Sequence, residues 1–262
     1  MAQGSNATVD LNADLGESFG PWQMGSDAEM LKIVSSANVA CGFHGGDAMI
    51  MRATIELAKA NGVAIGAHPG YNDIWGFGRR AMPNERPEDL KWQAVYQIGA
   101  LRTMAAAIGL DLHHVKAHGA LSNRAMVDRE VADAIAGAIQ AVDPELVFYV
   151  LPATRLEEAG REAGLRLARE IFADRGYEDD ARLVARGQPG AIIHDPDEAA
   201  DRALKMVEEG AVTSINGVKL PMAIDTICVH GDNPAAVALA DLVRNRLERA
   251  GWTIGPRNSG RG

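Results

Sequence analysis

Cysteine is nearly missing from this sequence: Cys41 and Cys228 are the only two in 262 residues, and both lie inside apolar runs. That excludes a disulfide-dense scaffold and predicts buried, reduced thiols, which suit the cytosol. An excess of positive charge is missing too. The formal net charge is −9 and the pI is near 5.3, which argues against a general nucleic-acid or anionic-membrane surface. It does not exclude a small anionic substrate held by a few local cations. No apolar run is long enough to span a bilayer. Residues Met1 to Thr8 lack the basic and apolar regions of a signal peptide, so a cytoplasmic location is expected. Nucleophile and nucleotide motifs are absent as well: there is no G-x-S-x-G, H-E-x-x-H, C-x-x-C or G-x-x-x-x-G-K-[ST]. Gly76-Phe77-Gly78-Arg79-Arg80 is glycine-rich but is not a phosphate cradle of the usual kind.

What is present is a repeated strand ending. Ser36 to Cys41 reads as a short buried strand that gives way to Gly42-Phe43-His44-Gly45-Gly46-Asp47. The glycines permit a sharp turn or a close approach, and Asp47 can cap the following helix. The same design recurs at Val63–Gly70 with His68, at Val115–Gly119 with His118 and at Thr226–Gly231 with His230. Four of the seven histidines therefore stand where an apolar run meets His-Gly or His-Pro-Gly. One would mean little; four predict a shared rim.

In chain order, Val9–Leu11 opens the first strand, and Asn12–Ser18 reads as a polar turn. A helix follows from Ala48 to Asn61, stopped by Gly62, and strand three is Val63–Ala67. Residues 68–86 form the longest loop, rich in Gly, Pro, Asn and Arg; loops of this length are usually functional or disordered. Pro87 begins a long helix whose expected apolar face carries Leu90, Trp92, Tyr96, Leu101, Met104 and Ile108. Further strands are expected at His114–Ala117, Leu146–Val150, Leu167–Phe172 and Thr226–Val229, with Asn216-Gly217 marking an antiparallel hairpin. Short apolar runs alternating with amphipathic helices imply parallel strands joined by right-handed crossovers. The expected fold is α/β: an incomplete seven-stranded (β/α) barrel, one domain over residues 8–253 with disordered tails at 1–7 and 254–262.

Such a barrel brings the strand exits to one mouth. Asp10, Asn12, Asp14 and Glu17 would meet there with Asn38, His44 and Asp47, His68, Lys116 and His118, and His230 and Asp232. Asp174 and Arg175 come from a further strand end, and Arg79 and Arg80 from the long loop. Clustered carboxylates and imidazoles are the material of acid–base chemistry and of divalent-metal sites; the sequence leaves the metal open. Any single histidine can equally be a satisfied core or capping residue, and Asp47 reads best as a helix cap. Lys116 stands among apolar residues, where a buried ammonium requires an anion, from protein or substrate.

These stretches resemble the LamB/YcsF family, to which A subunits of bacterial ATP-dependent 5-oxoprolinase belong. The resemblance is carried by Val9–Gly20, by Ser35–Asp47 with its Ala40-Cys41-Gly42-Phe43-His44 core, and by Ala64–Gly70. It continues through Gly76–Arg80, Tyr96–Leu101, Phe172–Arg175 and Asp225–Asp232, covering residues 8 to 250. The sequence departs from the family at Ala117, where a proline is usual, and at Ser122, where a tyrosine is usual. The resemblance implies hydrolytic ring opening of 5-oxoproline (pyroglutamate) to L-glutamate, coupled to hydrolysis of ATP, together with B and C partner subunits. ATP would be a co-substrate whose site lies on a partner. The catalytic set expected here is Asp14, Glu17, His44, His68 and His118, and the substrate-binding set is Asn12, Asn38, Arg79, Lys116 and His230. Two other readings compete: a non-catalytic subunit that delivers the lactam, and an independent metal-dependent amide hydrolase or deacetylase.

Overall fold

A computed structural model describes residues 7–185, 187–229 and 234–258. Its first strand, β1 (Thr8–Leu15), does not stop at Leu11. Asn12–Leu15, read above as part of a polar turn, continues the strand. Val9, Leu11, Ala13 and Leu15 are buried in the main apolar core. Asp10, Asn12 and Asp14 alternate with them and bond across to other strands. The period of two is that of a strand, with its polar face turned into the barrel.

The chain continues through α1 (Asp27–Met30), β2 (Ser36–Ala40), α2 (Ala48–Asn61), β3 (Ala64–His68), α3 (Pro87–Ile108) and β4 (His114–Lys116). Two helices follow, α4 (Gly119–Ala125) and α5 (Arg129–Val142), then β5 (Val147–Val150), α6 (Arg155–Glu162), β6 (Arg166–Phe172) and α7 (Pro196–Glu209). The last elements are β7 (Ala211–Thr213), β8 (Lys219–Pro221), β9 (Thr226–Val229), α8 (Pro234–Arg249) and β10 (Thr253–Ile254). Strands β1 to β6 pair in sequence order and all in parallel, and β9 pairs with both β6 and β1. The register Asn12↔Cys228 closes the ring, so this is the seven-stranded barrel expected. β7 and β8 form the antiparallel excursion, with Asn216-Gly217 between them.

Local signals explain most element ends. The Asp47 carboxylate accepts from the backbone N–H groups of Met49 and Ile50 at 2.8 and 3.0 Å, as its capping role requires, and also from Gly20 at 2.7 Å. Gly62 and Gly109 end α2 and α3 in the left-handed conformation. The buried face of α3 differs from the one expected. Leu90, Ala94, Gln97, Ile98, Leu101 and Ala105 are buried, whereas Trp92 and Tyr96 are 59% and 64% exposed. Small alanines at the contact let α3 approach its neighbours, and the large rings are left outside. Beyond Thr253, Ile254 pairs with Val9, and the Arg257 carbonyl accepts from His113 at 2.7 Å.

Candidate active site

The carboxyl ends of the strands surround a cavity of about 470 Å³ whose lining includes Asp14, His68, Arg79, Lys116, His118 and Glu170. Glu17 and His44 stand one layer behind it. His44 Nε2 is 3.2 Å from Glu17 Oε1, and His118 Nδ1 is 3.5 Å from the same oxygen. The rings of His44 and His118 are stacked with centroids 3.6 Å apart, and His68 meets both edge-on.

The glycines at the strand exits make this packing possible. Gly46 has φ +74, and a Cβ there would lie 2.7 Å from the carbonyls of Ala40 and Gly16. The turn after β2 is thus pressed against the turn that carries Glu17. Gly78 wedges the stacked rings, since a Cβ on it would approach His44 and His118 to 2.7 and 2.8 Å. The long loop therefore has a specific task. It places Gly78 over the rings and aims the Phe77 carbonyl at His118 Nε2, 2.8 Å away.

That carbonyl fixes a tautomer. His118 Nε2 must donate to it, and His68 Nδ1 must donate to the Lys116 carbonyl at 2.7 Å. The remaining nitrogens, His118 Nδ1 and His68 Nε2, face each other at 3.1 Å. Two bare lone pairs at that distance repel, so one ring carries a proton toward the other. Asp14 Oδ2, 3.3 Å from His68 Nε2, stabilises a proton there. The cavity wall thus holds a proton between two imidazoles.

Charge is arranged in opposite directions on the two carboxylates. Burial pushes Asp14 up, but His68 and Lys116 outweigh it and hold the carboxyl well below its usual range. Glu17 is pushed up, by burial first and then by Asp14. His44 and His118 are both driven toward the neutral form, chiefly by burial, then by their imidazole neighbours. A pair of acids pushed apart in this way is a recurrent mark of acid–base machinery.

Lys116 has found its anions within the protein. Its Nζ lies 2.9 Å from Asp14 Oδ1, 2.8 Å from Glu170 Oε1 and 3.1 Å from Cys228 Sγ. Burial disfavours the ammonium, yet Asp14, Cys228 and Glu170 hold its pKa well above the ordinary value. Asn12 and Asn38, expected at the mouth, are fully buried beneath it. Asn38 donates to Asn12 and Asp14 at 2.7 and 2.9 Å, and Asn12 donates to Thr226 at 2.7 Å. Asp10 lies at the opposite end of the interior, bound by Ser35, Ser36, Tyr149 and Thr226. His230 and Asp232 lie outside the described residues. Both cysteines are free and buried, and burial pushes Cys41 up to about 12.

Glu17, His44, His68 and His118 bring one donor atom each within 4.8 Å of one another, close enough to raise the question of a metal. As placed, the four do not fit one ion. A metal binds an imidazole in the ring plane at about 2 Å, whereas the His44 and His118 planes are parallel, 2° apart, at a centroid separation of 3.6 Å. An ion between them would lie out of both planes, so at most one of the two rings can ligate.

The LamB/YcsF family model matches residues 9–261. The chain belongs to that family. It is similar to the 5-oxoprolinase A subunit of Rhodopseudomonas palustris strain BisA53, 56% identical over 249 residues, which cover 95% of this chain and 98% of that one. The corresponding protein of Nitrobacter hamburgensis is 53% identical over 249 residues, with the same coverage of 95% and 98%. Among solved structures, the lactam utilization protein of Thermus thermophilus superposes with a TM-score of 0.92 at 49% identity, covering 96% of this chain and all of that one.

Within this LamB/YcsF chain the two departures named above both line the cavity: Ala117 at the end of β4 and Ser122 on α4. Arg175, expected at the mouth, also lines it, and so does Glu170, which sequence reasoning missed. Glu170 sits at an inward position of β6, two residues from Ala168 and two from Phe172, all three buried. A lone acid on the inward period of a barrel strand was the signal available.

Proposed function

We propose that this chain is the ring-opening subunit of an ATP-dependent 5-oxoprolinase, hydrolysing the activated lactam to L-glutamate beside B and C partners. Among the described residues, the cavity wall joins a carboxylate held ionised to two imidazoles around one proton, with a second, more basic carboxylate behind them. That arrangement carries the reading. The names of the relatives support 5-oxoproline as the substrate, and the word subunit in those names supports a multi-subunit enzyme.

The chemistry explains why the work is divided. An unstrained lactam is a poor electrophile, and the reverse cyclisation is easy. Phosphorylation of the lactam oxygen, at a partner's nucleotide site, provides a leaving group. Water then adds to the ring carbon, its proton passing to the base, and the C–N bond breaks as the nitrogen takes up a proton, leaving an acyl phosphate that a second water hydrolyses to the carboxylate of glutamate and free phosphate. Glu17, raised toward neutrality, is the base, reached through His118. The proton between His68 and His118 is the one delivered to the nitrogen. Asp14 stays ionised, pairs with Lys116 and holds that proton in place. Arg79, on the cavity wall, meets the anionic end of the substrate.

The test is glutamate formation from 5-oxoproline and ATP by this chain with and without its partners. Partner-dependent turnover that is lost in Glu17→Gln, with assembly intact, supports the reading. Full turnover in that variant rejects it and leaves a delivery role. Amide hydrolysis by the chain alone, abolished by chelation, would instead favour an independent metal-dependent hydrolase.

A further inference from the structure

His114 has no place in the reaction described so far. It lies on β4 two residues before Lys116, is completely buried, and does not line the cavity. Its ring is nonetheless held on every side. It stacks on Tyr149 with centroids 4.1 Å apart, and Tyr149 is anchored by its hydroxyl to Asp10 at 2.8 Å. β3 leaves a bay for the ring at Gly66, where a Cβ would come within 2.1 to 2.5 Å of three imidazole atoms. Residue 66 must be glycine for the histidine to sit there.

The bonding of this ring runs in one direction. His114 Nε2 is 2.8 Å from Asn38 Oδ1, and its Nδ1 is 3.1 Å from His113 Nδ1. Asn38 gives its two amide protons to Asn12 Oδ1 at 2.7 Å and Asp14 Oδ1 at 2.9 Å. Asn12 Oδ1 cannot donate, and neither can an ionised Asp14, so the Asn38 nitrogen must face them. Its oxygen is then left inside the barrel and needs a donor. His114 Nε2–H is the donor placed there. Burial, with His113 and Lys116 nearby, keeps the ring neutral, so only one of its nitrogens carries a proton. Its bare Nδ1 then accepts from His113 Nδ1–H, and His113 donates from both ring nitrogens, to His114 and to the Arg257 carbonyl.

We propose that His114 is a positioning residue for the acid–base site: as the Nε2–H tautomer it locks the Asn38 amide, and Asn38 in turn holds Asp14 toward Lys116 and His68. With this donor gone, the amide is free to turn and present its oxygen to the Asp14 carboxylate, which repels it. The kinetic part of this proposal rests on the reading of Asp14 given above; the tautomer does not.

Two measurements test it. Long-range ¹H–¹⁵N correlation on the labelled chain reads the tautomer directly, with His114 expected protonated at Nε2 and bare at Nδ1. The opposite tautomer overturns the proposal whether or not the chain is an oxoprolinase. The second is a double-mutant cycle with His114→Phe, which keeps the stacking on Tyr149 but has no donor, and Asn38→Ala. In the reconstituted enzyme His114→Phe is expected to lower kcat about tenfold, the scale of one buried hydrogen bond, with KM unchanged. In the Asn38→Ala background the same change is expected to do nothing more. Losses that simply multiply reject an action through Asn38. If His114→Phe does not fold, His114→Leu, which also lacks a donor, replaces it in the cycle with the same criterion. If the wild type makes no glutamate with its partners, the oxoprolinase reading fails, and the tautomer, with hydrogen exchange of the Asn38 side-chain amide, still decides the positioning claim. That amide is expected to exchange faster in the His114 variant, and unchanged exchange rejects it.

Discussion

Asp10 and Asp14 stand on one strand, four residues apart, and both face the barrel interior. Their surroundings have little in common. Asp10 accepts from four neutral hydroxyls, those of Ser35, Ser36, Tyr149 and Thr226, at 2.6 to 2.8 Å. It has a hydrogen bond for each lone pair it can direct. Asp14 meets Lys116 at 2.9 Å and His68 at 3.3 Å, and it opens onto the cavity. The first aspartate ties β1 to β2, β5 and β9 at the amino end. The second is surrounded by groups that can gain or lose a proton. Position along a barrel strand, more than residue type, decides whether an acid builds structure or does chemistry.

The sharpest way to break this contrast is to neutralise each acid in turn. Asp14→Asn and Glu17→Gln are each expected to cut glutamate formation by about 10²–10⁴, the usual scale for lost acid–base function. Assembly with the partners and folding should survive. Because Glu17 is raised, the acid limb of kcat/KM should lie above the ordinary carboxylate range, with activity rising as pH rises through it. An acid limb at or below that range would move the base elsewhere. Asp10→Asn should behave in the opposite manner, leaving turnover per folded molecule unchanged while lowering stability.

Lys116 extends the comparison to a residue whose sequence context left its anion open, protein or substrate. As a cation awaiting a substrate anion, its replacement by methionine would weaken binding and spare the fold. In the structure it neutralises two acids, half-buried Asp14 and buried Glu170. Lys116→Met strands both, and breaking a buried ion pair from one side costs about 3–5 kcal/mol. Thermal unfolding of the purified chain should therefore drop sharply, and Lys116→Met combined with Glu170→Gln should recover part of the loss. Unchanged unfolding in the single variant would return Lys116 to the substrate.

How much of this could be read from the letters depended on sequence distance. The histidines at strand exits were legible because an apolar run ending in His-Gly is a local pattern. So were Asp47 as a cap and the Asn216-Gly217 hairpin. Asn12 and Asp14 were misread as a turn because polar residues have low strand propensity, which a polar barrel interior overrides. Glu170 escaped notice because its meaning comes from Lys116, 54 positions away in the numbering, across three intervening helices and a strand. Closure of β9 on β1, joining Asn12 to Cys228, left no local trace at all.

Asp10→Asn is the milder structural probe. Asparagine keeps one acceptor oxygen, and the four hydroxyls can rotate to accept from its amide, so the cost should be about 1–3 kcal/mol. For a chain of this size each kcal/mol moves Tm by about 2–4 °C. A loss of glutamate formation in folded Asp10→Asn would end the division between the two ends of the barrel.

The smallest expected effect concerns the stability of Glu17→Gln. A carboxyl whose folded pKa lies above its unfolded value favours the protonated form on folding. Its contribution is fully present below the unfolded pKa and is lost as pH rises through the raised one. At neutral pH the folded protein therefore holds an ionised Glu17 less readily than the unfolded chain does, and removing that charge should stabilise the fold. Glutamine keeps an oxygen to accept from His44, whose Nε2 is 3.2 Å from Glu17 Oε1. The variant should thus melt slightly above the wild type at pH 8, and the difference should vanish below the ordinary carboxylate pKa. A variant that melts lower at pH 8 would mean that the ionised Glu17 is held by the histidines more strongly than burial opposes it. Acid–base function and stability would then coincide at Glu17, as they do not at Asp10.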